Sequence, residues 1–202
     1  MKIRANHIFT FMLVLCLILV PNLSTLAQQP EPAEKPSFDF PIHIDPDPRV
    51  EQRTYHFEDT GEELEYVLYV SSKVSKDKKN PLIVALHGMG GDANFIVRER
   101  LVELAEEGGY VAVGPLGYTV SGWYGSPVIA LGGRPVEPPN LTELSEKDVM
   151  NVLAMMLKEF NIDENRVYLM GHSMGGAGAI FLGQKYKEKW AAVAAIAPAA
   201  FM

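Results

Sequence analysis

Ser173 stands inside Gly171-His172-Ser173-Met174-Gly175, a G-x-S-x-G pattern, and Val167-Tyr168-Leu169-Met170 leads straight into it. The apolar run before the pattern reads as a strand and the residues after it as a helix, which places the serine on a strand-to-helix turn. A turn that tight strains the serine backbone and holds its hydroxyl above the sheet edge. Side chains two residues to either side would collide across the turn, so glycine is required at 171 and 175. Gly176 and Gly178 are expected to let the following helix pack closely. The helix N-terminus also turns free amides toward developing negative charge. The chemistry this suits is nucleophilic attack on an acyl carbon, with Ser173 as the catalytic nucleophile.

A second segment fits the same chemistry. The apolar strand Pro81 to Leu86 is followed by His87-Gly88-Met89-Gly90-Gly91. Acyl transfer needs two amide donors aimed at the oxyanion. The backbone N–H of Met174, directly after the nucleophile, is one candidate, and that of Met89 is the other. His87 is expected to be structural, and His172, next to Ser173, to point away from it. Trp123 and Tyr124 lie on a long loop after a strand end, where open sheets form pockets, and are candidate substrate-stacking residues, with simple anchoring of the loop as the other reading. Asp148 is read as a helix cap and Asp163 as a turn residue. Asn140-Leu141-Thr142 fits a glycosylation acceptor if the source is eukaryotic. No metal-ligand spacing, phosphate loop or dinucleotide fingerprint is present, so no metal and no cofactor is expected.

The elements that must position these residues alternate. Thr54 to Phe57 and Leu64 to Val70 read as antiparallel strands around a turn at Asp59-Thr60-Gly61. Strand 81–86, a helix from Asn94 to Glu107 ending at Gly108-Gly109, and a strand from Tyr110 to Val113 follow. A Gly- and Pro-rich loop then runs to about Leu144. A helix from Ser145 to Phe160 has one apolar stripe through Val149, Val152, Leu153, Met156, Leu157 and Phe160, with Ser145 and Asp148 resembling a capping box. Strand 166–170, helix 175–186 and strand 191–197 complete the order. Such alternation implies a mostly parallel sheet with helices on both faces, an α/β class.

With LIVALHGMGGDANF, DVMNVLAMMLKEFNIDENRVYLMGHSMGGAGA and WAAVAAIAPAA, residues 55–200 resemble serine esterases of the α/β-hydrolase fold. The D-x-x-R-V-Y-x-x-G-x-S-x-G-G pattern, carried by Asp163, Arg166, Val167, Tyr168, Gly171, Ser173, Gly175 and Gly176, is shared with polyhydroxybutyrate-depolymerase and feruloyl-esterase-like proteins. Prolyl-oligopeptidase-like peptidases carry similar turns. The resemblance implies ester hydrolysis through an acyl-enzyme on a small or polymeric ester. It also implies the order serine, acid, histidine for the triad. Here no His and no Asp follows Ser173, and the acid that does is Glu188. The five histidines, His7, His43, His56, His87 and His172, all precede the nucleophile. The expectation is a fragment with the last strands and the triad acid and base missing. A non-catalytic binding protein on the same scaffold is the alternative from another class.

Composition bounds the rest. Of 202 residues, 48% are apolar and 21% charged, which suits one soluble domain with a real core. A formal charge of −7 argues against a nucleic-acid partner. Lys2 and Arg4, the apolar run from Ile8 to Val20, Pro21 and Thr25-Leu26-Ala27 read as a signal peptide, residues 1–27, cut after Ala27. Leu15 before Cys16 disfavours a lipoprotein signal, and the run is short for a membrane anchor. Six prolines between Gln28 and Arg49 read as a linker, residues 28–49, ahead of a domain at 50–202. A packed arm remains open for Phe38 to Ile44. The expected location is secreted or periplasmic. The mature chain would have no cysteine and hence no disulfide.

Overall fold

The computed structural model describes residues 42, 44–127 and 137–199. The expected signal segment, most of the expected linker and part of the long loop lie outside the described residues. β1 (Glu51–Phe57) and β2 (Glu62–Val70) form an antiparallel pair in which Phe57 faces Glu62. The turn between them closes through the Gly61 N–H donating to the Phe57 carbonyl at 2.8 Å. β3 (Asn80–Leu86), β4 (Val111–Pro115), β5 (Ile162–His172) and β6 (Ala192–Ile196) run parallel to one another. The sheet order is β1-β2-β4-β3-β5-β6, and β2 joins β4 antiparallel. The continuous apolar run from Pro81 to Leu86 is that of a strand covered on both faces, and β3 is buried at six of its seven residues.

One face carries α2 (Leu141–Glu159) and α3 (Met174–Lys185). Leu82, Val84, Leu86, Val113 and Leu169 of the strands pack there against Val149, Val152, Met156 and Leu182. The other face carries α1 (Glu99–Gly108), whose Val102 and Ala105 meet Ala85 and Ala112. The period-2 side-chain alternation of each strand divides its residues between these two cores.

Two helices differ from expectation. The helix expected over 94–107 is a short 3₁₀ turn at Ala93–Phe95 and then α1, because Arg98 is extended (φ −157°, ψ 171°). The break lets both Ala93 and Val97 bury. α1 ends as expected at Gly109, left-handed at φ 74°. α2 begins at Leu141, one turn before the expected Ser145, so Ser145 and Asp148 are interior and form no capping box. Both are fully buried and bond to the loop after β4 instead.

The end of the expected linker is bound to the domain. Asp47 is 8% exposed and makes two hydrogen bonds to the Arg49 guanidinium. It also accepts the Glu99 N–H at 2.9 Å, capping α1 from outside the helix, since Arg98 offers no side-chain cap. The Arg49 bonds hold the Asp47 carboxyl well below the usual carboxylate range. A depressed native value stabilises above the unfolded value of about 4 and is lost as pH falls through the native one. Asp47→Asn is therefore expected to cost about 1–2 kcal/mol at pH 7 in denaturant unfolding. The gap to wild type should close as pH drops well below 4; a gap independent of pH down to acid unfolding would refute the ion-pair account.

Among the described residues β6 is an edge strand, and all five of its residues are exposed. Val193 is 41% and Ile196 46% exposed, an apolar edge with no charge to discourage pairing. Association by size-exclusion chromatography across a dilution series is expected to fall on Val193→Lys. An unchanged profile would show that the edge is not what associates.

Candidate active site

β3 and β5 are neighbours in the sheet, and Leu86 is level with Gly171. The two sequence motifs, far apart in the chain, therefore leave the sheet side by side at its carboxyl end. That is where open parallel sheets place their sites. The contact is close: a methyl group added at Gly88 would stand 3.6 Å from Ser173 Cβ.

Ser173 has φ 54° and ψ −112°, the strained turn the sequence predicts. Its N–H donates to the Ile196 carbonyl at the end of β6 (3.0 Å), and its carbonyl accepts from Ala177 (3.0 Å) and Ala199 (2.9 Å). Gly171 and Gly175 are needed for space: a Cβ on Gly171 would lie 2.0 Å from the Gly175 carbonyl oxygen, and one on Gly175 2.3 Å from that of Leu86. Met174 is the first residue of α3, so its N–H has no acceptor within the helix. Met174 is buried and Met89 partly buried.

The loop after β3 is braced on three sides. The Gly90 N–H donates to Val120 O (2.8 Å), Gly90 O accepts from the Ile42 N–H (2.7 Å), and Gly91 N–H donates to Gly88 O (3.0 Å). His87 is 1% exposed, structural as expected. Its Nδ1 lies 2.8 Å from Gly88 O and its Nε2 2.7 Å from Leu116 O. Burial pushes its pKa down, against the pull of those carbonyls. His172 turns to the α1 face and stacks on Phe95, centroids 5.9 Å apart at 23°. Its Nδ1 is buried without a hydrogen-bond partner. Among the described residues no imidazole is hydrogen-bonded to the Ser173 hydroxyl, and no cluster could hold a metal.

Trp123 and Tyr124 do not offer rings to a substrate. Trp123 is 4% exposed and Tyr124 fully buried. Both have left-handed backbone, φ 65° and 53°, which tucks Tyr124 beneath the turn. A Cβ on Gly178 of α3 would lie 2.6 Å from Tyr124 Cβ, so this glycine serves Tyr124 rather than the sheet. The Tyr124 hydroxyl donates to His87 O at 3.3 Å, and its ring meets the His87 ring edge-on at 5.7 Å. Its N–H donates to Ser145 Oγ at 2.9 Å. Tyr124 thus wedges α2, α3 and the end of β3 together, a role sequence reasoning missed.

Asp148 is the other missed residue. Its carboxylate accepts from Tyr55 OH (2.7 Å), Gly117 N–H (2.6 Å) and Tyr118 N–H (3.1 Å). Burial pushes its pKa up, and these three donors oppose the shift. A charged residue on the apolar stripe of α2 was the signal. Asp163 is structural as expected, bonding Arg166 Nε at 2.8 Å and Asn165 N–H at 3.1 Å.

The family described as serine aminopeptidase, S33 (Hydrolase_4) matches this chain over residues 77–202. The chain belongs to that family. It is 31% identical over 131 residues to feruloyl esterase B of Neurospora crassa, covering 63% of this chain and 41% of that protein. Among solved structures, a thermostable esterase is 28% identical with a TM-score of 0.55, over 74% of this chain and 41% of that one. A ferulic acid esterase of Anaeromyces mucronatus, 19% identical, shares the fold with a TM-score of 0.54 over 82% and 62% of the two chains. The sheet order, the flanking helices and these neighbours establish an α/β-hydrolase fold. The chain spans less than half the length of the curated relatives it matches.

Removing the wedge should be costly. Tyr124→Ala is expected to lose about 3–5 kcal/mol in denaturant unfolding, and Tyr124→Phe about 1 kcal/mol. A loss under about 1 kcal/mol for the alanine variant would show that the site can collapse around the cavity.

Proposed function

We propose that this chain carries the nucleophile and oxyanion hole of an exported serine hydrolase that cleaves carboxylic esters. The observation that carries the reading is the meeting of the strained Ser173 turn with the Gly88 loop across adjacent, level strands. Ser173 Oγ adds to the ester carbonyl. The oxygen that becomes negative sits between the backbone N–H groups of Met89 and Met174. Collapse expels the alcohol and leaves an acyl group on Ser173, which water then removes. The general base that takes the Ser173 proton is assigned to no described residue. Residues 1–27 serve as the export signal in this reading.

Esters are preferred over peptides because the curated relatives matched are named as esterases. The acyl class is that of feruloyl-esterase-like or polyhydroxybutyrate-depolymerase-like enzymes. The family description names an aminopeptidase, so peptide hydrolysis is the second reading.

Covalent labelling decides the nucleophile. A fluorophosphonate is expected to modify Ser173 in the protein expressed from its natural reading frame, and Ser173→Ala should abolish the label. Mass spectrometry locating the adduct on another serine would overturn the assignment. The same protein should release the alcohol from a short-chain aryl ester and leave an aminoacyl anilide intact. The reverse preference would favour the peptidase reading. The 202-residue chain alone, lacking a described base at Ser173, is expected to be slow, retaining about 10³–10⁴ over water.

A further inference from the structure

The segment that leads into β1 is tied down at two points. Asp47, buried and paired with Arg49, accepts the Glu99 N–H at 2.9 Å and so caps α1. Val50 joins the apolar cluster of Ala93 and Val97. Further back along the chain, the Ile42 N–H donates to Gly90 O at 2.7 Å. The segment thus bridges the start of α1 and the loop after β3. What the Ile42 bond does there follows from peptide geometry. A trans peptide is planar, so its C=O and N–H point in opposite directions and turn together. The Gly90–Gly91 and Gly88–Met89 peptides are both trans. Gly90 O accepts from Ile42, and the N–H of the same peptide, that of Gly91, donates to Gly88 O at 3.0 Å. Gly88 O in turn shares its peptide with the Met89 N–H. Each link has one N–H donor and one carbonyl acceptor, and the links run in one direction toward Met89. Accepting a bond at its oxygen polarises a peptide and strengthens its own N–H, by about 10–30% per bond. Gly88, Gly90 and Gly91 are buried, so little water competes for the links.

We propose that the segment tied down by Ile42 and Asp47 is a strap of the active site, and that Ile42 is a positioning residue whose N–H holds the oxyanion donor of Met89 in place. The proposal rests on the reading that Met89 supplies one oxyanion donor. The strap acts through its main chain, since the Ile42 side chain is 41% exposed. Its rear anchor is the Asp47 cap on α1, which fixes where the segment can run. The Gly90 N–H keeps its own bond to Val120 O at 2.8 Å when the strap is absent. Losing the Ile42 bond therefore loosens and weakens the Met89 donor and does not remove it.

Two measurements test this in the protein expressed from its natural reading frame. The first is amide hydrogen exchange by NMR. The Ile42 N–H is expected to be protected. The Gly91 N–H is expected to exchange about three- to tenfold faster in Ile42→Pro, which lacks the donor, as the loss of one hydrogen bond implies. An Ile42 amide that exchanges as in an unfolded peptide overturns the proposal, and that readout needs no activity and no variant. The second is the rate of fluorophosphonate labelling at Ser173, at a temperature where each variant is fully folded. Losing a whole oxyanion donor costs about 10²–10³ in rate. Ile42→Pro, with the donor weakened only, is expected to label about three- to tenfold more slowly. Ile42→Ala restores the N–H and should recover most of that rate. A chain shortened to begin at Ile44 removes the donor without a proline and keeps Asp47, and it should be as slow as Ile42→Pro. Unchanged labelling in both variants without the donor, even with a lower melting temperature, would leave the segment a stabilising contact and overturn the proposal. Equal slowing in Ile42→Ala would overturn it too, by assigning the effect to the side chain. If Ser173 is not labelled even in wild type, the proposed function fails, while exchange at Ile42 and Gly91 still decides whether the strap holds the loop.

Discussion

The structure depends on one uncomfortable residue. Ser173 sits at φ 54° and ψ −112°, a conformation that costs a non-glycine residue about 1–3 kcal/mol. It persists because its surroundings allow nothing else. Its N–H is tied to the end of β6, its carbonyl accepts from Ala177 and Ala199, and the turn closes so tightly that neither flanking glycine has room for a Cβ. The strain is what lifts the hydroxyl off the sheet and starts α3 at Met174. Every other element near the site serves to hold that turn against a second loop.

The second loop is held by polar groups buried where apolar ones would be the rule. Asp148 and Ser145 lie on the same face of α2 as Val149, Val152 and Met156. An unpaired carboxylate there would be costly, and three donors offset part of that cost. They also fix the backbone from Gly117 to Tyr124, which the apolar core could not do because hydrophobic contact has no direction. Tyr124 converts that fixed backbone into a fixed distance between the end of β3 and α3.

This division explains what the sequence revealed. The alternation of strands and helices, the elbow at Ser173, the glycines at 171 and 175 and the apolar stripe of α2 follow from local periodicity and turn sterics. Each depends on neighbours within a few residues. Ser145 and Asp148 looked like a helix cap because their spacing fits one. Their partners, Gly117, Tyr118, Tyr124 and Tyr55, come from distant segments that only the tertiary fold brings near. Trp123 and Tyr124, on a loop, could be read as stacking on a substrate or as anchoring the loop. Two successive left-handed residues send the chain inward there, and no local pattern announces that. The late start of α1 has the same origin: the cap of α1, Asp47, is supplied from a proline-rich stretch that composition alone reads as a tether.

In the proposed reading the oxyanion site is built from main-chain donors, and this shapes how it can vary. Backbone amides at 89 and 174 do not change when side chains do, so selection on the Met89 and Met174 side chains is free to follow packing. What must be kept is the orientation of two peptide planes. For Met174 the helix start sets that orientation. For Met89 there is no helix, only a four-residue turn, and a turn of glycines is flexible. Two main-chain bonds, Gly91 N–H to Gly88 O at 3.0 Å and Gly90 N–H to Val120 O at 2.8 Å, supply the rigidity the glycines give up. The glycines bring the backbone close enough to Ser173 for chemistry. The main-chain bonds behind them keep that close backbone in place.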